Sequence, residues 1–424
     1  MRKSLPTFYS SSKHSLHMRG RRTEDRMPRR EREEQTTPIA QSKPPPPPLP
    51  AAAAAAAEEE EMEPAIWGQL PDELLDRILA LLPLRTLLAL RPTCKRFNSL
   101  LVSPSFLSLL HSPSSSPAFL LLSHPQFSHR FLPLYDSFAD GWRNLRLLPS
   151  AAASPSQLLS SSSGLLCFSL LPSRPSSLLI FNLLTKTSKF VSLPTHDPFS
   201  FATLVSLPSS TPHGYKIFLP SSSSTSVFVY DSASFSWTRF PGFDLILDRG
   251  NSHQEGVFFD GALYFTTNEP FSVVGFHLQS GKWEPMSSPS LPAELAFVRL
   301  VGDGRNRLYL VGGVGRDGIS RSLRVWELVG KDGEGKVRAW EEVGRLPEMM
   351  CRKFVSVCYH NYSHVYCLWH EGLVCVCCTT WPEVLFYRVA RGTWHWLPRC
   401  PMLPEKWSCG FRWFSFVPDL YALV

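Results

Sequence analysis

Apolar residues recur at three- and four-residue spacing through residues 66–106, a pattern that predicts short helices. The first helix is predicted to begin near Pro71, a residue type favoured at helix starts, and to carry Leu74 and Ile78 on one face. Pro83 ends it, because the residue before a proline is pushed out of the α region. Two further short helices follow. Three such helices expose more apolar surface than they can bury among themselves, so we expect a protein partner.

Beyond residue 115 the pattern changes to short β-rich runs separated by Gly, Pro, Ser and Asp clusters, which is typical of all-β folds. In a recurring unit, a strand ends in aromatic and polar residues, a turn follows, and an aromatic anchor comes next. A repeat of about 50 residues is the kelch spacing among propellers. We therefore predict six blades, tryptophan anchors packed between them, and ring closure by residues 410–416. The anchors, 46 to 57 residues apart, are Trp142, Phe190, Trp237, Trp283, Trp340 and Trp394.

Residues 1–63 are predicted to be a disordered, low-complexity tail. They include runs of five prolines, seven alanines and four glutamates, and so few apolar side chains cannot offset the entropy lost on ordering. The fold class predicted for the chain is therefore α+β multidomain. After the tail we expect a three-helix domain over residues 64–110 and an all-β, kelch-like propeller over residues 115–424.

The formal charge of +7 is carried mainly by residues 1–35, which hold ten Lys/Arg and five Asp/Glu. A nucleic-acid binder would place basic residues on a folded face beside aromatic side chains, so no nucleic-acid partner is predicted. The sequence has no secretory signal and no apolar run of about 18 residues, so no membrane partner is predicted. We expect the cytoplasm, the nucleus or both. An organellar transit peptide stays open for the Arg- and Ser-rich leader, although its acidic residues count against one.

The cysteines invite a metal-site hypothesis, because eight of the ten lie between Cys351 and Cys409. Zinc sites, however, use paired ligands at regular spacing. Cys375 and Cys377 alternate with valines in a run that predicts a buried strand, where free cysteine acts as a small apolar side chain. The sequence therefore predicts a core strand, with no metal and no cofactor.

The segment Leu-Pro-x-Glu-Leu-Leu-x-x-Ile-x-x-x-Leu-Pro at residues 70–83, followed by Cys-Lys-Arg-Phe at residues 94–97, resembles an F-box. One departure is Phe97, which stands where the family usually has tryptophan. The resemblance implies that the helices bind an SKP-family adaptor, and through it a cullin, in an SCF-type ubiquitin ligase. The adaptor-binding residues that it implies are Leu70, Pro71, Leu74, Leu75, Ile78, Leu82, Pro83, Leu87, Cys94 and Phe97.

Taken together, the helical domain and the repeats resemble plant F-box/kelch-repeat proteins. That resemblance implies a substrate-recognition subunit that catalyses nothing itself and whose propeller holds the protein to be ubiquitinated. Two alternatives stay open. One is a propeller enzyme of galactose-oxidase type, although no constellation of tyrosine and histidine ligands stands out, and the other is a free-standing propeller binding module.

Substrate contacts are predicted on loops at one face of the ring, where binding residues usually lie in propellers. The charged, glycine-containing loop 316–321 is the preferred candidate. We predict that Arg316 and Arg321 contact an acidic or phosphorylated segment of the substrate, since guanidinium groups bind such groups strongly. The repetitive loop 331–336 is interpreted as a solvated hairpin turn.

Overall fold

The computed structural model describes residues 69–82, 84–100, 103–109, 118–127, 131–137, 139–146, 155–170, 177–195, 199, 201–207, 214–221, 226–242, 254–286, 289–304, 306–330, 338–403, 405–419, 422 and 424. These residues belong to one unit of the chain, Ile66–Val424. The predicted tail, residues 1–63, and the loop 331–336 lie outside the described residues. No helix of the described ranges is long and apolar enough to cross a membrane.

The helical domain, residues 69–109, contains α1 (Asp72–Ala80), α2 (Leu84–Leu90), α3 (Lys95–Leu100) and α4 (Pro104–Leu109). The three predicted helices are confirmed, and α4 is an addition that the sequence pattern did not indicate. Pro71 starts α1, and its carbonyl accepts the N–H groups of Leu74 and Leu75 at 3.0 and 3.1 Å. The buried centre of the domain consists of Leu79, Leu87, Leu100 and Phe106.

The described strands form six four-stranded antiparallel sheets, which confirms the six predicted blades. Blade 1 has the order β24-β1-β2-β3, so the C-terminal strand closes the ring as predicted, and each later blade uses four consecutive strands. The strands are β1 (Phe119–Ser123), β2 (Phe131–Asp136), β3 (Gly141–Arg146), β4 (Pro155–Ser162), β5 (Leu165–Leu170), β6 (Ser177–Asn182), β7 (Ser188–Ser192), β8 (Thr203–Leu207), β9 (Gly214–Pro220), β10 (Ser226–Asp231), β11 (Ser236–Pro241), β12 (Val257–Phe259), β13 (Ala262–Thr266), β14 (Val273–His277), β15 (Trp283–Pro285), β16 (Leu295–Gly302), β17 (Leu308–Arg316), β18 (Ile319–Val329), β19 (Ala339–Arg345), β20 (Val365–His370), β21 (Leu373–Cys378), β22 (Trp381–Arg388), β23 (Thr393–Trp396) and β24 (Arg412–Phe416).

The first strands of neighbouring blades run in the same direction around the axis. In blades 2 and 3, for example, the hydroxyl of Ser160 accepts the Leu204 N–H at 2.9 Å and that of Ser162 accepts the Ser206 N–H at 3.2 Å. Because strands alternate in direction within a blade, the turns between first and second strands and between third and fourth strands all lie on one face. We call this the proximal face, since the helical domain contacts it, and the opposite face the distal face.

The tryptophan anchors lie on the outermost strand of their blades. Three of the five indole N–H groups donate to carbonyls of the preceding blade or its exit segment: Trp142 to Pro398 at 3.1 Å, Trp237 to Ser192 at 2.8 Å and Trp283 to Pro241 at 2.8 Å. These bonds confirm the predicted packing between blades. A directly opposed aromatic residue on the third strand accompanies the anchor in four blades, in the pairs Tyr135–Trp142, Tyr230–Trp237, Phe276–Trp283 and Tyr387–Trp394.

Two anchors depart from the repeat. Phe190 is 48% exposed, so it is a surface residue of β7 rather than a packed anchor. Trp340 lies opposite Leu328 instead of an aromatic residue, and the aromatic residue of β18, Trp326, lies opposite Glu342. A residue type at the right sequence interval is therefore not enough to place its side chain between blades.

A helix, α5 (Glu348–Val357), is inserted between β19 and β20 on the distal face. Its Cys351 and Phe354 pack into the apolar cluster shared by blades 5 and 6, whereas the repeat pattern predicted no helix here. The next strand pair holds Cys375 and Cys377, which are fully buried in β21 and confirm the predicted core strand. Burial raises the pKa of both thiols, so both are neutral side chains of the core.

The helical domain and the propeller share one apolar cluster. Leu184, in the turn between β6 and β7 of blade 2, is 7% exposed and packs among the buried residues of the helical domain. The guanidinium of Arg91 donates a hydrogen bond to the Leu184 carbonyl oxygen. The helical domain is therefore attached to the proximal face by side-chain packing as well as by the chain connection.

Candidate functional site

The outer face of α1, continued by the residue after its last turn, presents a row of apolar side chains to solvent. Leu74 is 45% exposed, Ile78 39% and Leu81 80%. Positions spaced by three and four residues share a helix face, so these side chains form one strip, while Leu79 points into the domain core. Exposed apolar groups arranged in this way mark a protein-binding surface more often than a solvated face.

The other implied adaptor contacts differ in exposure. Pro71 and Cys94 are exposed like the α1 strip, whereas Leu87 is buried in the domain core. The remaining ones are intermediate in exposure, and all but Leu70 pack against the domain core: Leu70, Leu75, Leu82 and Phe97. Pro83 lies outside the described residues. Direct contact of any of them with an adaptor stays a prediction.

Two residues of this site are not among the adaptor contacts predicted from the sequence, although Leu81 belongs to the apolar pattern of the first helix. Leu81 extends the strip by one turn, and its spacing from Leu74 and Ile78 was a sufficient signal for it. Leu184 belongs to the same domain core, but its position in a propeller turn gave no local signal.

An ion-pair network holds the first helix against the third. The guanidinium of Arg96 on α3 lies 2.9 Å from an Asp76 carboxylate oxygen and also pairs with Asp72 at the start of α1. Asp72 is largely exposed, so that pair alone contributes little. The shared guanidinium nonetheless links α3 to the first two turns of α1.

On the distal face, the β17–β18 hairpin of blade 5 brings the two predicted substrate contacts together. Asp317 and Gly318 form its tip, both with left-handed backbone angles of +54° and +69°. Arg316 and Arg321 flank the tip and are both exposed. Arg316 is not free, because its guanidinium lies 3.0 Å from a carboxylate oxygen of Glu294.

The hairpin is joined to α5 and to the turn Tyr362–His364 that follows it. The backbone N–H of Ser320 donates to the Tyr362 hydroxyl at 2.8 Å, and the Cys351 thiol lies 3.6 Å from the Arg321 carbonyl oxygen. The exposed apolar side chains of this region are Ile319 on the hairpin, Met349 in the first turn of α5 and Tyr359 just after its end. Blade 5 therefore presents both guanidinium groups and exposed apolar side chains at the distal face.

The described residues include no group of three or more His, Cys, Asp or Glu side chains arranged to hold a metal ion. Two tyrosine hydroxyls of the propeller make structural hydrogen bonds. That of Tyr366 donates to the Phe411 carbonyl and accepts the Trp413 N–H, and that of Tyr387 donates to the Val343 carbonyl of the neighbouring blade. No observation favours the galactose-oxidase alternative.

Comparisons with known proteins agree with this arrangement. Residues 67–109 match the F-box domain. An F-box/kelch-repeat protein of Arabidopsis thaliana is 52% identical over 373 residues, which cover 86% of this chain and 90% of that protein. The rice protein ABERRANT PANICLE ORGANIZATION 1 is 30% identical over 395 residues, covering 85% of this chain and 90% of its own. The Arabidopsis protein UNUSUAL FLORAL ORGANS is 26% identical over 372 residues and covers 80% of each chain. With a matched F-box, a six-bladed propeller and this degree of identity along most of its length, the chain belongs to the F-box/kelch-repeat proteins.

Proposed function

We propose that the protein is the substrate-recognition subunit of an SCF-type ubiquitin ligase. Its F-box binds an SKP-family adaptor, the adaptor binds a cullin, and the propeller binds the protein to be ubiquitinated. The observation that carries the proposal is the exposed strip of Leu74, Ile78 and Leu81 within the matched F-box. The chain itself does no chemistry. It raises the concentration of the substrate's lysines near the ubiquitin-charged conjugating enzyme.

The two faces of the propeller suit the two binding roles, one for the adaptor and one for the substrate. The F-box is held at the proximal face by Leu184 and Arg91, while the blade 5 hairpin and α5 project from the distal face. Adaptor and substrate therefore approach from different sides and do not compete for space. The packing around Leu184 keeps the adaptor and the substrate in a constant relative orientation. This favours transfer of ubiquitin to particular lysines of the substrate.

The substrate segment proposed for the distal face is acidic or phosphorylated. Arg321 is exposed beside Ile319, and Arg316 is held by Glu294 in an exposed pair. Such surface pairs are worth about 0–1 kcal/mol, so a substrate phosphate or carboxylate can replace Glu294 at little cost. Arg321 and Ile319 together suit a segment in which an acidic group stands next to an apolar side chain.

The proposed location is the cytoplasm or the nucleus. All ten cysteines are free, and most are buried. Thiols persist in compartments that glutathione keeps reduced, which supports this proposal. Neither a nucleic acid nor a membrane is needed as a partner.

Reconstitution tests the proposal directly. The full chain, mixed with a plant SKP-family adaptor and a cullin, is expected to elute from gel filtration as one ternary complex. Cullin without the adaptor should not bind, because in this proposal the chain contacts the cullin only through the adaptor. Failure of the adaptor to co-elute at micromolar concentration would contradict the proposed function.

A charge reversal tests the substrate face. Arg316→Glu together with Arg321→Glu should lower substrate capture at least tenfold, since a bidentate charge contact becomes repulsive. The measurement is quantitative mass spectrometry of proteins retained by the complex when the proteasome is inhibited. Arg352→Glu is the matched control, because Arg352 is exposed on α5 and has its own carboxylate partner, Glu348. An unchanged set of retained proteins would place recognition on other loops.

A further inference from the structure

A cleft lies between the helical domain and the propeller, at the contact of Arg91 with Leu184. Its volume is about 940 Å³, and proteins hold small molecules in pockets of roughly 300–1,000 Å³. One wall is the turn between α2 and α3 with the start of α3, and the other is the turn between β6 and β7 of blade 2. No residue of the α1 strip is among the described lining residues, so the cleft is separate from that surface.

The charged residues that line the cleft are all basic. Arg91 and Lys95 belong to the helical domain and Lys186 to the propeller, and no Asp or Glu is among the described lining residues. None of these three cations forms an ion pair with a carboxylate of the described part of the chain. The neighbouring Arg96, by contrast, is paired with two carboxylates of α1. Three uncompensated cations around one cleft create a positive potential that attracts anions.

Arg91 is fixed where the two walls meet. One terminal nitrogen of its guanidinium donates to the Leu184 carbonyl oxygen, and its Nε donates to the Asn98 side-chain oxygen at 3.3 Å. The second terminal nitrogen, Nη2, has no partner among the described residues and can donate to a ligand. Arg91 is only partly exposed, so its charge is less screened by water than that of a fully exposed residue.

Lys186 is carried by a turn that is held by several hydrogen bonds. Its backbone N–H donates to the Asn182 carbonyl at 2.9 Å, and the Asn182 side-chain oxygen accepts the N–H groups of Leu184 and Thr185 at 2.9 and 3.2 Å. Lys186 itself has a φ of +60°, a left-handed conformation that is uncommon for lysine and that the turn stabilises. The backbone of this wall is therefore already in place, and a ligand need not order it on binding.

We propose that the cleft binds a compact, soluble anion with several phosphate groups, which bridges the helical domain and the propeller. Arg91 and Lys95 contact the anion from one side and Lys186 from the other. Guanidinium and ammonium groups are the side-chain groups that bind phosphate most strongly. A single phosphate fills only a small part of a cleft of this size, so an anion with several phosphate groups suits cations on both walls better.

Binding should stabilise the folded chain. Like charges around one cleft repel each other, and a bound polyanion replaces this repulsion by attraction to both walls. A ligand that binds only the folded state raises the unfolding temperature. Neither the α1 strip nor the distal hairpin takes part, so binding is expected whether or not the chain works in a ubiquitin ligase.

The test is calorimetric titration of the full chain with sodium tripolyphosphate at neutral pH and low salt. One saturable site is expected, in addition to weak association with the basic leader of residues 1–35. Orthophosphate should bind at least tenfold more weakly, because it contacts fewer of the cations. Added salt should weaken binding, since charges in an open cleft are screened. Absence of a saturable site at millimolar tripolyphosphate, or equal binding of orthophosphate, would overturn the proposal.

A double variant locates the site. Lys95→Gln with Lys186→Gln should weaken tripolyphosphate binding at least tenfold and remove most of the rise in unfolding temperature. Both lysines are exposed, so the variant should fold, and thermal unfolding without the anion checks this. Lys282→Gln with Lys406→Gln is the matched control, because both of these lysines are exposed and neither lines the cleft. If the cleft variant binds like wild type, the anion is held elsewhere, for example by the leader, and the proposal is wrong.

A lipid headgroup offers the same phosphate chemistry, and sedimentation with vesicles distinguishes it from a soluble anion. The probe is a phosphatidylcholine vesicle that contains a phosphoinositide. Wild type and the Lys95/Lys186 double variant should sediment to the same extent, since a soluble anion is the proposed occupant. Sedimentation of wild type that is lost in the double variant would overturn the proposal in favour of a headgroup.

Discussion

Replacing Leu74 and Ile78 together by alanine is expected to weaken adaptor binding roughly a thousandfold. Both side chains lie on the solvent-exposed strip of α1, within the matched F-box. Truncation of an apolar anchor at the centre of an interface costs about 2 kcal/mol, and a tenfold change in affinity corresponds to about 1.4 kcal/mol. Because neither residue is buried in the free protein, the double variant should unfold at nearly the wild-type temperature.

The measurement is the dissociation constant for a purified SKP-family adaptor, followed by calorimetry. Met349→Ala is the matched control, since Met349 is an equally apolar and even more exposed residue on the distal face. Leu87→Ala provides the contrast. Leu87 is buried, so its truncation should lower the stability of the helical domain by about 2–4 kcal/mol, with adaptor affinity reduced only through unfolding. Near wild-type affinity in the Leu74/Ile78 double variant would contradict this assignment of the strip.

The features that could be predicted from the sequence are those set by local chemistry. Pro71 and the three- and four-residue spacing that follows determine where α1 begins and which face is apolar. A pair formed by an aromatic residue on the third strand and a tryptophan on the fourth, such as Tyr230 and Trp237, recurs from blade to blade. It recurs because each blade must pack against the blade before it. Ring closure was also predictable, because the aromatic residues of β24 lie beyond the sixth repeat and lack a blade of their own.

The features that could not be predicted depend on contacts between distant parts of the chain. Leu184 completes the core of the helical domain from a propeller turn, and Glu294 pairs with Arg316 from the strand connection before β16. Phe190 kept the anchor spacing, yet its strand presents it to solvent. In each case the residue type would suit its local segment whether or not the distant contact forms. The sequence alone therefore does not show that the contact is made.

A contact on the propeller axis, between Gln254 and Cys367, shows the same limit. Gln254 and Glu255 immediately precede β12 and, by sequence, suit an ordinary polar connection between blades. Their role appears only when six innermost strands are brought around one axis, where Gln254 reaches Cys367 of a blade that is not its neighbour. Polar residues at the start of a short inner strand are therefore worth examining in other propellers.

Ending the chain at Cys409 is expected to abolish folding of the propeller, because it removes β24. This strand pairs with β1 over five residue positions, from Phe119–Phe416 to Ser123–Arg412. Its aromatic residues Trp413, Phe414 and Phe416 are almost completely buried, and loss of each costs about 3–5 kcal/mol. The sum is comparable with the whole stability of a typical domain, about 5–15 kcal/mol.

Removal of β24 would also uncover the edge of β1, whose Leu120, Leu121 and Leu122 are buried in the closed ring. An apolar edge strand of this kind pairs with other chains, so the shortened protein should aggregate. The matched control ends at Pro418 and keeps β24, but it loses the Ala422 carbonyl that accepts a hydrogen bond from the Asn182 side chain at 2.6 Å. That control should stay monomeric on gel filtration and melt a few degrees below wild type. A chain ending at Cys409 that is monomeric and melts cooperatively would show that the ring does not depend on closure by its C-terminal strand.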